Sequence, residues 1–139
     1  MTGVSPGGLI TFISQPYGGK ASDKVIFHES NLIQLVDKTS IMADKGFHIE
    51  KECEENGIQL YRPPFLKGKR QLAKEEAIYN INIAAARVHI ERTYQRMKSF
   101  KILTSKLSPN NICHFQEIFV IIAAIVNLSS PILANDKFL

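Results

Sequence analysis

The chain has 139 residues, 45% of them hydrophobic and 22% charged, which suits one globular domain with a single core and excludes wholesale disorder. Two cysteines, Cys53 and Cys113, stand far apart and in no metal-ligating pattern, so neither a zinc site nor a disulfide framework is expected and a reducing intracellular compartment fits. The formal charge of +4 is uneven: ten Lys or Arg against three acids lie between Lys67 and Lys106, a balance of +7 that leaves −3 for the remainder and suggests a polyanionic partner.

Met1 to Gly8 lacks the charged and apolar regions of a secretory signal. Pro6-Gly7-Gly8 reads as a turn, after which Leu9 to Ser14 is rich in β-forming residues and predicts a strand, with Val4 ending the strand before it. Ser22 is placed to cap a short helix that breaks near Ser30-Asn31. Thr39 to Ala43 reads as a buried strand whose C-terminal end delivers Asp44 into a loop. Ile49 to Asn56 predicts an amphipathic helix ended by Gly57, and Ile58 to Tyr61 a strand stopped by Pro63-Pro64.

A long helix is expected from Lys74 to about Ser99, with Glu75 and Glu76 at its positive end. Ile78, Ile81, Ala85 and Val88 form one apolar stripe on it, and Tyr79, Ile83, Ala86 and Ile90 another. Between them Asn80, Arg87, Glu91 and Lys98 fall within about 40° at roughly 100° per residue. A last helix, from about Asn111 to Leu128, is expected to give Ile118, Ile121, Ile122, Ile125 and Leu128 to the core. Its apolar run, Ile118 to Val126, is about half of what crosses a bilayer. The Asn-x-Ser triplet at Asn127 reads as chance. Strands alternating with helices point to an α/β layered domain.

Two acids carry possible chemistry. Glu91, between apolar stripes, is expected to be partly buried, and Arg87 one turn earlier is its structural ion-pair partner. Asp44 reads as a turn residue, but open α/β sheets also place ligand-binding groups at strand ends. Two such carboxylates suit a Mg²⁺ ion that takes its remaining ligands from water and phosphate.

The segments Gly3-Val4-Ser5-Pro6, Tyr17-Gly18-Gly19-Lys20-Ala21-Ser22-Asp23-Lys24 and Met42-Ala43-Asp44-Lys45-Gly46-Phe47 resemble the DDE superfamily endonuclease domain of Harbinger-like transposases. Pro63-Pro64-Phe65-Leu66-Lys67-Gly68-Lys69 and Arg87-Val88-His89-Ile90-Glu91-Arg92 follow in the family's order. The resemblance runs from about Gly3 to Leu128 and implies a partial endonuclease domain over 1–130, with 131–139 as a C-terminal tail. It implies a ribonuclease-H-like mixed sheet with flanking helices, and cleavage of DNA by two Mg²⁺ or Mn²⁺ ions held by three carboxylates.

The second acid matches Asp44 and the third Glu91, 47 positions on. Asp23 is a possible accessory residue, either capping its helix or lying near the metals, with capping ranked first. The family's first acid lies on a central strand upstream of Gly-Val-Ser-Pro, so this sequence is expected to lack both and to be inactive alone. The basic residues Lys67, Lys69, Arg70, Arg92, Arg96, Lys98 and Lys101 are expected to bind DNA. A full-length transposase, or a second copy paired at the sheet edge, is the other partner implied. Location is expected to be nuclear or cytoplasmic. The alternatives are a non-enzymatic fragment that binds nucleic acid or transposase, and a degenerate transposon relic.

Overall fold

The computed structural model describes residues 1–36, 40–64, 71, 73–106 and 109–130. They form a mixed α/β structure that divides into two compact units, Met1–Pro16 with Arg87–Leu139, and Tyr17–Ala86. The tail expected at 131–139 lies outside the described residues, as do Lys67, Lys69, Arg70 and Thr39.

The first unit opens with a hairpin of β1 (Thr2–Val4) and β2 (Ile10–Ile13), paired antiparallel with Thr2 opposite Ile13 and Gly3 opposite Phe12. Gly8 closes the turn at φ +85°, a conformation glycine adopts without steric cost, and its N–H donates to the Ser5 carbonyl at 2.9 Å. A slip in register follows, so that Val4 faces Ile10. Ile10 is then held from an unexpected direction: its N–H donates to Asn127 Oδ1 and its carbonyl accepts from Asn127 Nδ2, both at 2.9 Å.

Asn127 belongs to α7 (Phe115–Leu128), preceded by the short helices α5 (Lys101–Thr104) and α6 (Pro109–Ile112). The single helix expected from Asn111 is therefore two pieces, separated by a turn at Cys113-His114. Ile122, Ala123 and Val126 of α7 are buried with Ile10 and Met97, and Val4, Ile13, Phe100, Leu103, Ile118 and Phe119 pack around them. The expected core face is corrected in part. Ile118 and Ile122 point inward, whereas Ile121, Ile125 and Leu128 are 58%, 45% and 88% exposed. A helix apolar all round does not announce which stripe will be covered.

The second unit begins with α1 (Asp23–Glu29), where the Ser22 hydroxyl accepts from the Val25 N–H at 3.4 Å. Asn31, at φ 55°, separates α1 from α2 (Leu32–Leu35), as the expected break required. β3 (Ser40–Met42) and β4 (Gln59–Tyr61) pair in parallel, joined by a crossover through α3 (Glu50–Glu55), which Gly57 ends at φ +67°. Phe27, Ile49, Cys53 and Ile58 are buried. β3 is not the buried strand expected: Ser40 and Met42 are exposed and only Ile41 is half-buried. Alternate side chains point to opposite faces, and a two-stranded pair covers few of them.

The long helix α4 (Lys74–Lys98) starts where the Glu76 carboxylate reaches back to the Ala73 N–H at 2.9 Å, half of a capping box. Of its two apolar stripes, the second faces inward through Ile83 and continues into fully buried Thr93 and Met97. The first is largely in solvent, with Ile78 50% and Ile81 66% exposed.

Candidate functional site

Asp44 stands one residue beyond β3, after Ala43, and begins a turn closed by the Phe47 N–H to the Asp44 carbonyl at 3.1 Å. Its side chain is exposed, and Oδ1 accepts the N–H of Lys45 at 2.8 Å. The turn residue Gly46 lies against another of the expected residues. A Cβ at Gly46 would sit 3.0 Å from Asp23 Oδ2, so the first-turn acid of α1 reaches the Asp44 turn. Ser22 makes the side-chain cap, while Asp23 adds a negative charge in the first turn. Asp23 is thus held beside the loop that carries Asp44, by a motif 21 positions earlier in the chain.

Glu91 is on the solvent side of α4. Its side chain is 61% exposed and lies 3.9 Å from Arg87, a loose i,i+4 pair. The partial burial expected for it is corrected, because the stripe beside it is itself exposed. An exposed pair of this kind contributes little to stability, about 0.3–0.5 kcal/mol. His89, two positions earlier, turns the other way. Its Nδ1 is buried without a hydrogen-bond partner among the described residues, and its carbonyl accepts from the Thr93 hydroxyl at 3.0 Å.

Of the cations expected at the interface, Arg92 and Arg96 are half-buried along one line of α4, and Lys98 and Lys101 are exposed. Arg92, Arg96, Gln95 and Ser99 line one surface depression. Gln95 and Ser99 escape a charge-based reading because they carry none. On this helix Ile78 and Ile81 are exposed while Arg92 and Arg96 are partly covered.

A second electrostatic group links α1 to α3. Glu52 lies 2.9 Å from His28 Nε2 and 3.2 Å from Lys24 Nζ. Its carboxyl is held below the usual carboxylate range first by a hydrogen bond from its own backbone N–H, which with Lys24 and His28 outweighs the opposing effect of desolvation. Glu50, paired with Arg62, is lowered likewise, again first by its own backbone N–H. Burial, then the charges of Glu52 and Glu50, push the Cys53 thiol up, which favours its protonated form.

The carboxylates of Asp44 and Glu91 are hard, accessible oxygen donors of the kind Mg²⁺ and Mn²⁺ take. Their number at any one place is short: among the described residues no group of three His, Cys, Asp or Glu side chains forms a metal-binding set. Asp44 lies in the second compact unit and Glu91 in the first.

A family model described as DDE superfamily endonuclease matches residues 1–127. The chain belongs to this family. No curated protein and no solved structure matches it. The family match spans nearly every described element, from β1 to α7, and includes both Asp44 and Glu91. DDE endonucleases use divalent metal ions, which accords with oxygen donors rather than the chain's cysteines. Among the described residues no helix is long and apolar enough to cross a membrane.

Proposed function

We propose that this chain is a transposase-derived endonuclease domain in which Asp44 and Glu91 are ligands to Mg²⁺ or Mn²⁺ and DNA is the substrate. The carrying observation is the family match over 1–127, with both motif acids exposed to solvent. A parallel pair and an antiparallel pair of strands are the pieces that a ribonuclease-H-like mixed sheet contains, which supports that finer fold.

In this reading Asp44 meets the metal from a strand end and Glu91 from a helix, while Gly46 keeps the intervening turn slim enough for Asp23 to lie against it. A divalent ion there would polarise a phosphodiester oxygen and lower the pKa of an attacking water. Glu91 would exchange its loose contact with Arg87 for the ion. Three carboxylates hold two ions in this chemistry. Asp44 and Glu91 are the two counterparts that the motifs supply, and one ion held by both is the state proposed.

Titration with Mn²⁺, followed by paramagnetic broadening of backbone amide signals, tests the ligand set. Broadening is expected around both Asp44 and Glu91, and Asp44→Ala should weaken it at both places. Broadening at one acid that is indifferent to loss of the other would refute a shared ion.

The basic segment favours a second, non-enzymatic reading, that of a nucleic-acid-binding fragment. Phosphate contacts release counterions, so duplex affinity should fall steeply between low and physiological salt in either reading. Metal dependence of binding, or its absence, separates them.

A further inference from the structure

The apolar residues of α7 fall on two opposite faces, and the core takes only one of them. Ile122, Ala123 and Val126 are buried with Ile10 and Met97. Val120, Ile121, Ala124, Ile125 and Leu128 stand on the far side, all exposed. Their spacing keeps them in one stripe, about 140° wide at roughly 100° per residue. Single exposed aliphatic residues are ordinary, but a continuous stripe of five with no charged or polar member marks a contact surface.

The two ends of the stripe differ in charge. Glu117, one turn before Val120 and Ile121, lies on the same line and is exposed. At the other end Arg96 of α4 donates through Nη1 to the Ser130 carbonyl at 2.6 Å, which holds a guanidinium just past the last turn of α7. A helix that is apolar along one face, negative at its start and positive at its end is complementary to its own antiparallel copy. A parallel copy would set Glu117 against Glu117 instead. Antiparallel helices also oppose their dipoles. Ala124, at the middle of the stripe, is small enough to let two helix axes approach closely.

We propose that the outer face of α7 is a self-association surface, on which a second copy of this chain packs its α7 antiparallel about a two-fold axis at Ala124. Val120 of each copy then meets Leu128 of the other, Ile121 and Ile125 close over the paired alanines, and Glu117 comes to the end where the other copy's Arg96 stands. Such an interface is self-complementary, as a two-fold contact requires. The contact is made by one helix and leaves the strand edges free. It goes beyond the endonuclease reading and holds whether or not the chain cuts DNA. At 14 residues α7 is about 21 Å long, and one face of it offers less than the roughly 800 Å² per partner of a standard-size interface. The dimer is therefore weak, with a Kd on the order of tens of micromolar, and unfolding followed at about 1 µM reports the monomer.

The test is sedimentation equilibrium of the full chain from about 1 µM to about 500 µM, over which the mean mass should rise from that of one chain towards two. Ile121→Glu puts a charge in the stripe and should weaken association by about tenfold or more, with the melting temperature at low concentration unchanged. Ile81→Glu, at an aliphatic residue no less exposed on α4, should leave association as it is. Glu117→Lys and Arg96→Glu should each weaken it, and an equimolar mixture of the two should restore it, because only the mixed dimer pairs opposite charges at both ends. Should Arg96→Glu fail to fold, the comparison of Ile121→Glu with Ile81→Glu carries the test.

Association reduced equally by Ile121→Glu and Ile81→Glu would overturn the assignment to α7. Failure of the mixture to regain what the single variants lose would overturn the antiparallel pairing. A chain that stays monomeric throughout would overturn the surface; if a soluble nitroxide then failed to broaden the Ile121 and Ile125 methyl signals, the cover would come from within the chain.

Discussion

Asn127 shows how much one side chain does here. Its carboxamide presents a donor and an acceptor to the two backbone groups of Ile10, which a neighbouring strand would otherwise supply. Asn127→Ala should therefore leave a partly buried N–H and C=O unmatched and cost about 1–3 kcal/mol in chemical denaturation. In the sequence the same residue reads as an accidental Asn-x-Ser triplet, because no local pattern encodes a partner 117 positions away.

The turn at Asp44 and the helix start at Ser22-Asp23 were legible for a different reason: both lie in short motifs punctuated by glycine and serine, which act locally. The exposure of Glu91 was not legible, since it depends on which stripe of α4 is covered. Glu50 and Glu52 make a pH-dependent contribution. Both have pKa values lowered from an ordinary 4.5, so their stabilising effect is complete above that value and is lost as pH falls through the lower folded-state values. Melting temperature should thus decline below about pH 4.5, and less so in Glu52→Gln, whose neutral amide has no such titration.

At the scale of elements, boundaries were largely readable and faces were not. Ser22, Asn31, Gly57 and Pro63 stop or start elements through their own backbone chemistry, and α1, α2, α3 and β4 begin and end close to where they require. The helices α4 and α7 each carry apolar residues on more than one side, and only tertiary packing chooses among the sides. The choice has measurable consequences on α7. Ile122→Ala, at 4% exposure, should cost about 2–5 kcal/mol, whereas Ile121→Ala, at 58%, should change stability by no more than about 0.5 kcal/mol. Denaturant midpoints of the two variants make the comparison directly. Similar losses in both would mean that the outer face is covered in solution.

For the whole molecule, the proposed reading is tested by cleavage. Purified chain incubated with supercoiled DNA and Mg²⁺ or Mn²⁺ is expected to give no nicking above that of the Asp44→Ala and Glu91→Ala variants. Metal-dependent nicking abolished in both variants would show that two acids suffice.

The division of the chain into units also bears on how it is made. Tyr17–Ala86 is continuous, whereas the other unit joins Met1–Pro16 to residues that begin at Arg87. The hairpin emerges from the ribosome before the rest of its unit, and the amide that engages Ile10 is synthesised 117 residues later. At about 5–20 residues per second, that is a delay of roughly 6–23 s. Throughout it the first strands made wait without their partner while the middle of the chain is free to fold. A nascent chain halted before α7 should accordingly protect its middle segment from protease and leave its N-terminal hairpin open to cleavage.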